Sequence, residues 1–282
     1  HGIASRSAAI ALAVALTGIA AVSFLTWRPG RTPNQAAWEI SKDSKIEPAG
    51  DDFLLKDVTR ELGIDFIHTP GPASFFFPGI VGSGVALLDY DQDGRLDIFF
   101  RTGTGTLPHP LAKPDTPQAT SRLFHQEADG RFVDVTESSD LVDPGYGMGV
   151  AVGDVNNDGY PDVLVLNFGR SRLYLNQRDG TFRDVTASAG IDIDGWSSSA
   201  CFVDIDRDGR LDLFVTRYVD YSRPKACALA SGREDFCNPS DFLSTSDKLY
   251  RNVTDIEASK TDPAAVRFED ISISSGIASQ RG

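Results

Sequence analysis

From residue 84 onward the chain alternates between short apolar runs and acidic, glycine-containing breaks. Gly84-Val85-Ala86-Leu87-Leu88 is answered across one break by Ile98-Phe99-Phe100. Gly149-Val150-Ala151-Val152-Gly153 is answered by Val163-Leu164-Val165-Leu166, and Ser199-Ala200-Cys201-Phe202-Val203 by Leu213-Phe214-Val215. Runs this short, rich in β-branched and aromatic residues and bounded by turn formers, predict strands. Two more strand-like runs follow each pair. One reads Arg122-Leu123-Phe124-His125-Gln126, Arg172-Leu173-Tyr174-Leu175-Asn176 and Lys248-Leu249-Tyr250-Arg251-Asn252. The other reads Phe132-Val133-Asp134-Val135-Thr136, Phe182-Arg183-Asp184-Val185-Thr186 and Phe268-Glu269-Asp270-Ile271-Ser272. Asp-Gly before two of these marks a turn. The closing Thr or Ser can cap one short helical turn that ends at Gly190-Ile191 or Gly276-Ile277.

Four strands joined by tight turns describe one propeller blade. The expected fold class is therefore all-β, a β-propeller with three blades at about 80–136, 147–186 and 198–271. Loop starts at Asp89, Asp154 and Asp204 fit a blade of roughly 40–50 residues once insertions at 102–120 and 221–246 are removed. Segment 52–66 repeats the end of the unit with nothing before it, which predicts a ring-closing strand. Three blades cannot close a ring, since propellers use about four to eight. With His1 in place of Met, the expectation is a fragment cut at both ends, with 51–282 a partial propeller.

The breaks carry the chemistry. They read Asp89-Tyr90-Asp91-Gln92-Asp93-Gly94-Arg95-Leu96-Asp97, Asp154-Val155-Asn156-Asn157-Asp158-Gly159-Tyr160-Pro161-Asp162 and Asp204-Ile205-Asp206-Arg207-Asp208-Gly209-Arg210-Leu211-Asp212. Side-chain oxygens fall at positions 1, 3, 5 and 9. The backbone carbonyls of Arg95, Tyr160 and Arg210 at position 7 are further candidate ligands, leaving those side chains free to vary. So many carboxylates in one turn repel unless a cation sits among them, and hard oxygen donors at this density suit Ca²⁺. Gly at position 6 lets the loop fold back. An EF-hand would need Glu at position 12 and flanking helices. Position 12 is Phe100, Val165 and Val215, and the flanks are strands. The alternative is a metal-free Asx turn. Three structural Ca²⁺ sites are the expectation, with Asn156 replacing a carboxylate in the second.

These hairpins resemble the FG-GAP/VCBS repeat superfamily, whose members include the integrin α-subunit propellers with calcium hairpins. Within it the chain resembles the cartilage acidic protein family, often ASPIC/UnbV-associated, over about 53–277. The resemblance rests on Phe53 with Asp57-Val58-Thr59, on Arg172-Leu173-Tyr174-Leu175-Asn176, on Gly195-Trp196-Ser197, on Arg217-Tyr218-Val219-Asp220 and on Cys227 with Cys237-Asn238-Pro239. It implies a seven-bladed propeller in secreted or surface-attached proteins, and no settled activity. An ASPIC/UnbV segment would lie C-terminal to the propeller.

Net charge is −13, and the three loops hold much of that acidity. An acidic surface argues against nucleic acid, because no basic patch is there to displace phosphate counterions. Residues 8–27 carry no charge, long enough to cross a bilayer as a helix and longer than the core of a cleaved signal. Residues 1–28 are read as a signal-anchor or signal segment and 29–50 as a linker. Arg28 and Arg31 after the segment point the propeller inward, whereas calcium loops suit the calcium-rich exterior. The second argument is given more weight, so the propeller is placed outside the membrane, or secreted if the segment is cleaved. Cys227 and Cys237 can close a disulfide loop worth roughly 3 kcal/mol. A metal site is the other reading, but it lacks further Cys or His nearby. Cys201, on an apolar strand, is expected to be a buried small hydrophobe.

No catalytic residue is identified. His1, His68, His109 and His125 are scattered, and no nucleophile elbow occurs. Gly79-Ile80-Val81-Gly82-Ser83-Gly84 is explained by turn and close packing. Phe75-Phe76-Phe77-Pro78 is either an exposed patch or a plug near the ring axis, and Trp196 is read as blade packing. The function expected is a non-catalytic, calcium-stabilised extracytoplasmic propeller that binds a protein or glycan partner. The alternative is a calcium-dependent, polysaccharide-lyase-like enzyme. A scaffold for a C-terminal domain is a third reading.

Overall fold

The computed structural model describes residues 55–68, 75–103, 105, 107, 121–223 and 225–279. The segment expected at the membrane, the linker, His1, His109 and the start of the expected closing strand lie outside them. Among the described residues no helix is long and apolar enough to cross a membrane. The chain divides after Asp57, and everything below concerns the compact unit Val58–Gly282.

That unit is all-β. Sheet 1 is β1 (Gly84–Leu88), β2 (Asp97–Arg101), β3 (Arg122–Gln126) and β4 (Phe132–Asp134). Sheet 2 is β5 (Tyr146–Gly153), β6 (Asp162–Phe168), β7 (Arg172–Asn176) and β8 (Phe182–Asp184). Sheet 3 opens with β9 (Ser197–Val203) and β10 (Asp212–Arg217). The chain then makes the short strands β11 (Val219–Asp220), β12 (Cys227–Ala228), β13 (Glu234–Asp235) and β14 (Leu243–Ser244), and returns to sheet 3 with β15 (Lys248–Asn252) and β16 (Phe268–Asp270). Every pairing is antiparallel. The registers match across the sheets: Leu87 faces Ile98, Val152 faces Val163, and Phe202 faces Leu213.

Burial follows position in the stack. β2, in a sheet covered on one side, alternates buried and half-buried residues, whereas every residue of β6 is buried. A strand covered on both faces needs a continuous apolar run, and β6 has one. Val163 and Val165 pack with Leu88, Phe99 and Leu123 of sheet 1. Leu164 and Leu166 pack with Leu213, Val215 and Tyr250 of sheet 3. The first strands come close together. A Cβ on Gly84 would lie 3.1 Å from Gly149 Cα, so a larger residue there would require the two backbones to give by a few tenths of an ångström.

The strand that ends each unit carries a hydroxyl clamp. Thr136, Thr186 and Ser272 accept the N–H of Leu123, Leu173 and Leu249 at 2.9, 2.9 and 3.0 Å. A turn follows, closed by Ser139 N–H to Val135 O, Ala189 N–H to Val185 O and Ser275 N–H to Ile271 O, each 2.9 Å or shorter. That turn then reaches forward. The carbonyls of Ser139 and Ala189 accept the N–H of Phe182 and Phe268 in the next unit, at 2.8 and 2.7 Å.

The closing strand expected over 52–66 is described only from residue 55, without the blade it was expected to join. No strand forms over 55–66; residues 59–63 make a turn, with Leu62 N–H on Val58 O at 2.9 Å. A strand needs a ladder, and the three sheets hold four other strands each. The segment instead repeats the forward-reaching turn: Leu62 O accepts Phe132 N–H at 2.7 Å, and Phe66 stacks on Phe100 at 4.7 Å.

Cys201 is also corrected, because it is exposed. In sheets 1 and 2 the equivalent Ala86 and Ala151 pack against the following sheet. Among the described residues no fourth sheet covers β9. Phe76 and Phe77 are buried with Tyr146, Phe168, Trp196 and Tyr221 in an aromatic cluster, so these two rings are packing rather than an open patch, while Phe75 is exposed. Cys227, in β12, and Cys237, two residues beyond β13, are joined in a disulfide.

Candidate cation-binding loops

The three acidic nonapeptides are the β1–β2, β5–β6 and β9–β10 turns, and all are built alike. The position 1 carboxylate receives two backbone N–H groups. Asp89 takes Asp93 and Gly94 at 3.0 and 2.9 Å, Asp154 takes Asp158 and Gly159 at 3.0 and 2.8 Å, and Asp204 takes Asp208 and Gly209 at 3.1 and 3.0 Å. The position 5 carboxylate accepts the N–H of position 7 at 2.9 Å in each loop. These bonds wind the chain so that its oxygens converge. Gly94, Gly159 and Gly209 stand at φ 87°, 94° and 85°, where a side chain is strained.

Position 9 is a strut as well as an oxygen donor. Asp97, Asp162 and Asp212 are 0, 0 and 1 % exposed. One oxygen accepts the N–H of position 2, from Tyr90, Val155 and Ile205 at 3.1, 2.9 and 3.0 Å. The other accepts the N–H of Gln126, Asn176 and Asn252 on the third strand, at 2.8, 2.9 and 2.7 Å. Burial pushes the Asp97 carboxyl up and the Asp162 carboxyl well up, and these N–H bonds pull both back down. The negative field of loop 1 is felt by Tyr90, whose hydroxyl is pushed up to about 12 by burial and then by Asp91, Asp97 and Asp93.

Oxygens of Asp89, Asp91 and Asp93 lie within 4.8 Å of one another, as do those of Asp204, Asp206 and Asp212. Such all-oxygen sets fit a hard cation such as Ca²⁺. In loop 2 the neutral Asn156 amide donates to the Asp158 carboxylate at 3.1 Å, where loops 1 and 3 place a second carboxylate.

Three features were not read from the sequence. Where position 7 is arginine its side chain is engaged: Arg95 and Arg210 pair with Asp93 and Asp208, and their Nε atoms donate to Gln126 O at 2.7 Å and Asn252 O at 3.0 Å. Position 4 is left-handed in all three loops, at φ 61°, 53° and 63° for Gln92, Asn157 and Arg207. The Gln92 amide donates to Gly159 O and the Asn157 amide to Gly209 O at 2.8 Å, so each loop is tied to the next. Finally, His125 lies against loop 1, its Nδ1 3.0 Å from Asp97 Oδ1. The alternation of strands gave no sign of it, because the contact joins residues far apart in the chain.

Arg178 Nε stands 3.7 Å from Asp158, and Arg251 Nε 3.2 Å from Asp206. Asn252, in an Asn-x-Thr sequence, is buried and its amide donates to Val155 O and Leu211 O, so the folded chain does not offer it for glycosylation.

Residues 89–165 and 154–215 each match the family model for the FG-GAP-like repeat. Both matches start on the first aspartate of an acidic loop, and they support the FG-GAP/VCBS repeat superfamily. A search of curated proteins finds no match.

Proposed function

We propose that this chain is a calcium-binding, non-catalytic part of an extracytoplasmic β-propeller, of the cartilage acidic protein branch, whose role is to bind a protein or glycan at the cell surface. The observation that carries the reading is the threefold recurrence of one loop. In all three copies the backbone of positions 5 and 6 turns the position 1 carboxylate inward and the position 9 carboxylate is held buried below it. Asp89, Asp91, Asp93 and Asp97 would hold the first ion, Asp154, Asn156, Asp158 and Asp162 the second, and Asp204, Asp206, Asp208 and Asp212 the third. Bound Ca²⁺ supplies positive charge that relieves carboxylate repulsion. The residues themselves fix one end of each sheet.

Propeller geometry is supported by the order of the sheets, in which each first strand packs beside the first strand of the next and the outer turns reach forward. The superfamily likeness and the proposed calcium sites favour placement outside the cytoplasm, with the 8–27 segment as anchor. The arginines nearest the loops, Arg95, Arg178, Arg210 and Arg251, are engaged by loop carboxylates, which weighs against a lyase base at these sites.

Calcium titration followed by thermal melting tests the proposal. Each ion at ten times its Kd adds about 1.4 kcal/mol, so chelation lowers Tm. Asp208→Ala lowers it without a chelator. A melting temperature indifferent to both calcium and chelator sinks the reading.

A further inference from the structure

We infer that loop 1 differs in kind from its two copies: His125 adds a nitrogen donor that makes it a mixed site for a borderline divalent ion such as Zn²⁺ or Co²⁺. The inference rests on the reading that these loops hold cations, and in loop 1 alone it puts a borderline ion in the place given above to Ca²⁺. His125 Nδ1 is 3.0 Å from Asp97 Oδ1 and 3.6 Å from Asp91 Oδ2, and its Nε2 is 3.7 Å from Asp93 Oδ2. Ligand atoms of Asp91, Asp97 and His125 all lie within 4.8 Å of one another. An ion about 2.1 Å from each donor sets them about 3.0 Å apart at right angles and about 3.4 Å apart at tetrahedral angles. The imidazole nitrogen thus already stands at such a spacing from Asp97 and close to it from Asp91, and the set closes on one ion as the Asp91 carboxylate turns inward.

The ring is placed, not loose. It stands edge-on to Tyr90 with centroids 5.9 Å apart, and β3 fixes its backbone opposite Val133. The repeat supplies an internal control. The position of His125 on the third strand is Leu175 in unit 2 and Arg251 in unit 3. Leucine offers no donor, and Arg251 brings a cation 3.2 Å from Asp206. Only unit 1 offers an imidazole, the donor that suits Zn²⁺ and its neighbours, whereas Ca²⁺ takes oxygen alone.

The test uses the full chain, stripped of metal and titrated with Co²⁺ in millimolar Ca²⁺, read by visible absorption and far-UV circular dichroism. The expected result is one Co²⁺ per chain that resists displacement by calcium. His125→Leu weakens binding at least about tenfold. His125→Asn keeps a donor for Asp97 but loses the imidazole, and weakens it likewise with unchanged circular dichroism. Either variant binding Co²⁺ as the parent does, or Ca²⁺ at equal concentration displacing it, overturns the inference. Melting in calcium on the same samples separates the two readings. A chain that ignores Ca²⁺ but holds Co²⁺ through His125 overturns the calcium proposal and supports this one, and the reverse result does the opposite.

Discussion

Arg101 holds its guanidinium wholly inside the protein. Nη2 meets Asp143 at 2.9 Å with both side chains fully buried, and the same group bonds Ser121 and Asn167. Asp143 also accepts the Asn167 amide and the Gly145 N–H, each at 3.1 Å. Burial lowers the Arg101 pKa and Asp143 restores part of it. Removing one partner of a buried pair strands the other charge, so Asp143→Ala costs about 3–5 kcal/mol in urea unfolding. Arg101→Met with Asp143→Leu costs less than Asp143→Ala alone. Asp134 shows the opposite balance at the surface. Burial would raise its carboxyl, but the Thr136 hydroxyl and N–H and the Arg122 guanidinium outweigh it and leave it below the ordinary value. A lowered pKa contributes stability above about pH 4 that is lost as pH falls through the folded value. The parent is therefore more stable than Asp134→Asn at neutral pH, and denaturation at stepped pH shows the gap closing toward acid.

At the scale of elements, the clamp from the closing hydroxyl to the third strand is the part most exposed to test. Thr186→Val leaves the buried N–H of Leu173 without its acceptor and costs about 1–3 kcal/mol. Thr181→Val, on an exposed turn, stays within about 0.5 kcal/mol, and chemical denaturation of both variants checks the contrast. Much of this level was legible in the chain. Apolar runs between acidic breaks gave the strands, because both faces of β6 had to be apolar. Asp134-Val135-Thr136 and its copies gave the turn. The loop aspartates could be read because ligand spacing is local. What stayed hidden depends on chain segments meeting in space: the Gln92 and Asn157 amides on the next loop, the arginine of position 7 on the third strand, and His125 over Asp97. The left-handed Gln92 and Arg207 left no trace either, since neither residue type announces that conformation.

Across the whole of Val58–Gly282, the two end sheets present surfaces whose counterparts elsewhere are covered. Val85 and Leu87 are more than half exposed, whereas Val150 and Val152 at the same positions of sheet 2 pack on sheet 1, and Ala200 and Phe202 of sheet 3 pack on sheet 2. Val85→Asn and Val150→Asn, the same change at equivalent positions, carry the same intrinsic strand penalty, so the difference between them reports the covering sheet. The second is expected to cost about 1–3 kcal/mol more, measured by thermal melting. Cys201, free and exposed, is expected to label with a thiol reagent in the native state. The forward-reaching turns add a further consequence. Leu62, Ser139 and Ala189 offer the same carbonyl, and Phe132, Phe182 and Phe268 receive it with the same N–H. Every joint is thus a plug meeting an identical socket, and each unit owns one of both. Because each of these bonds runs from backbone to backbone, the joint is kept while the residue offering the carbonyl changes from Leu62 to Ser139 to Ala189.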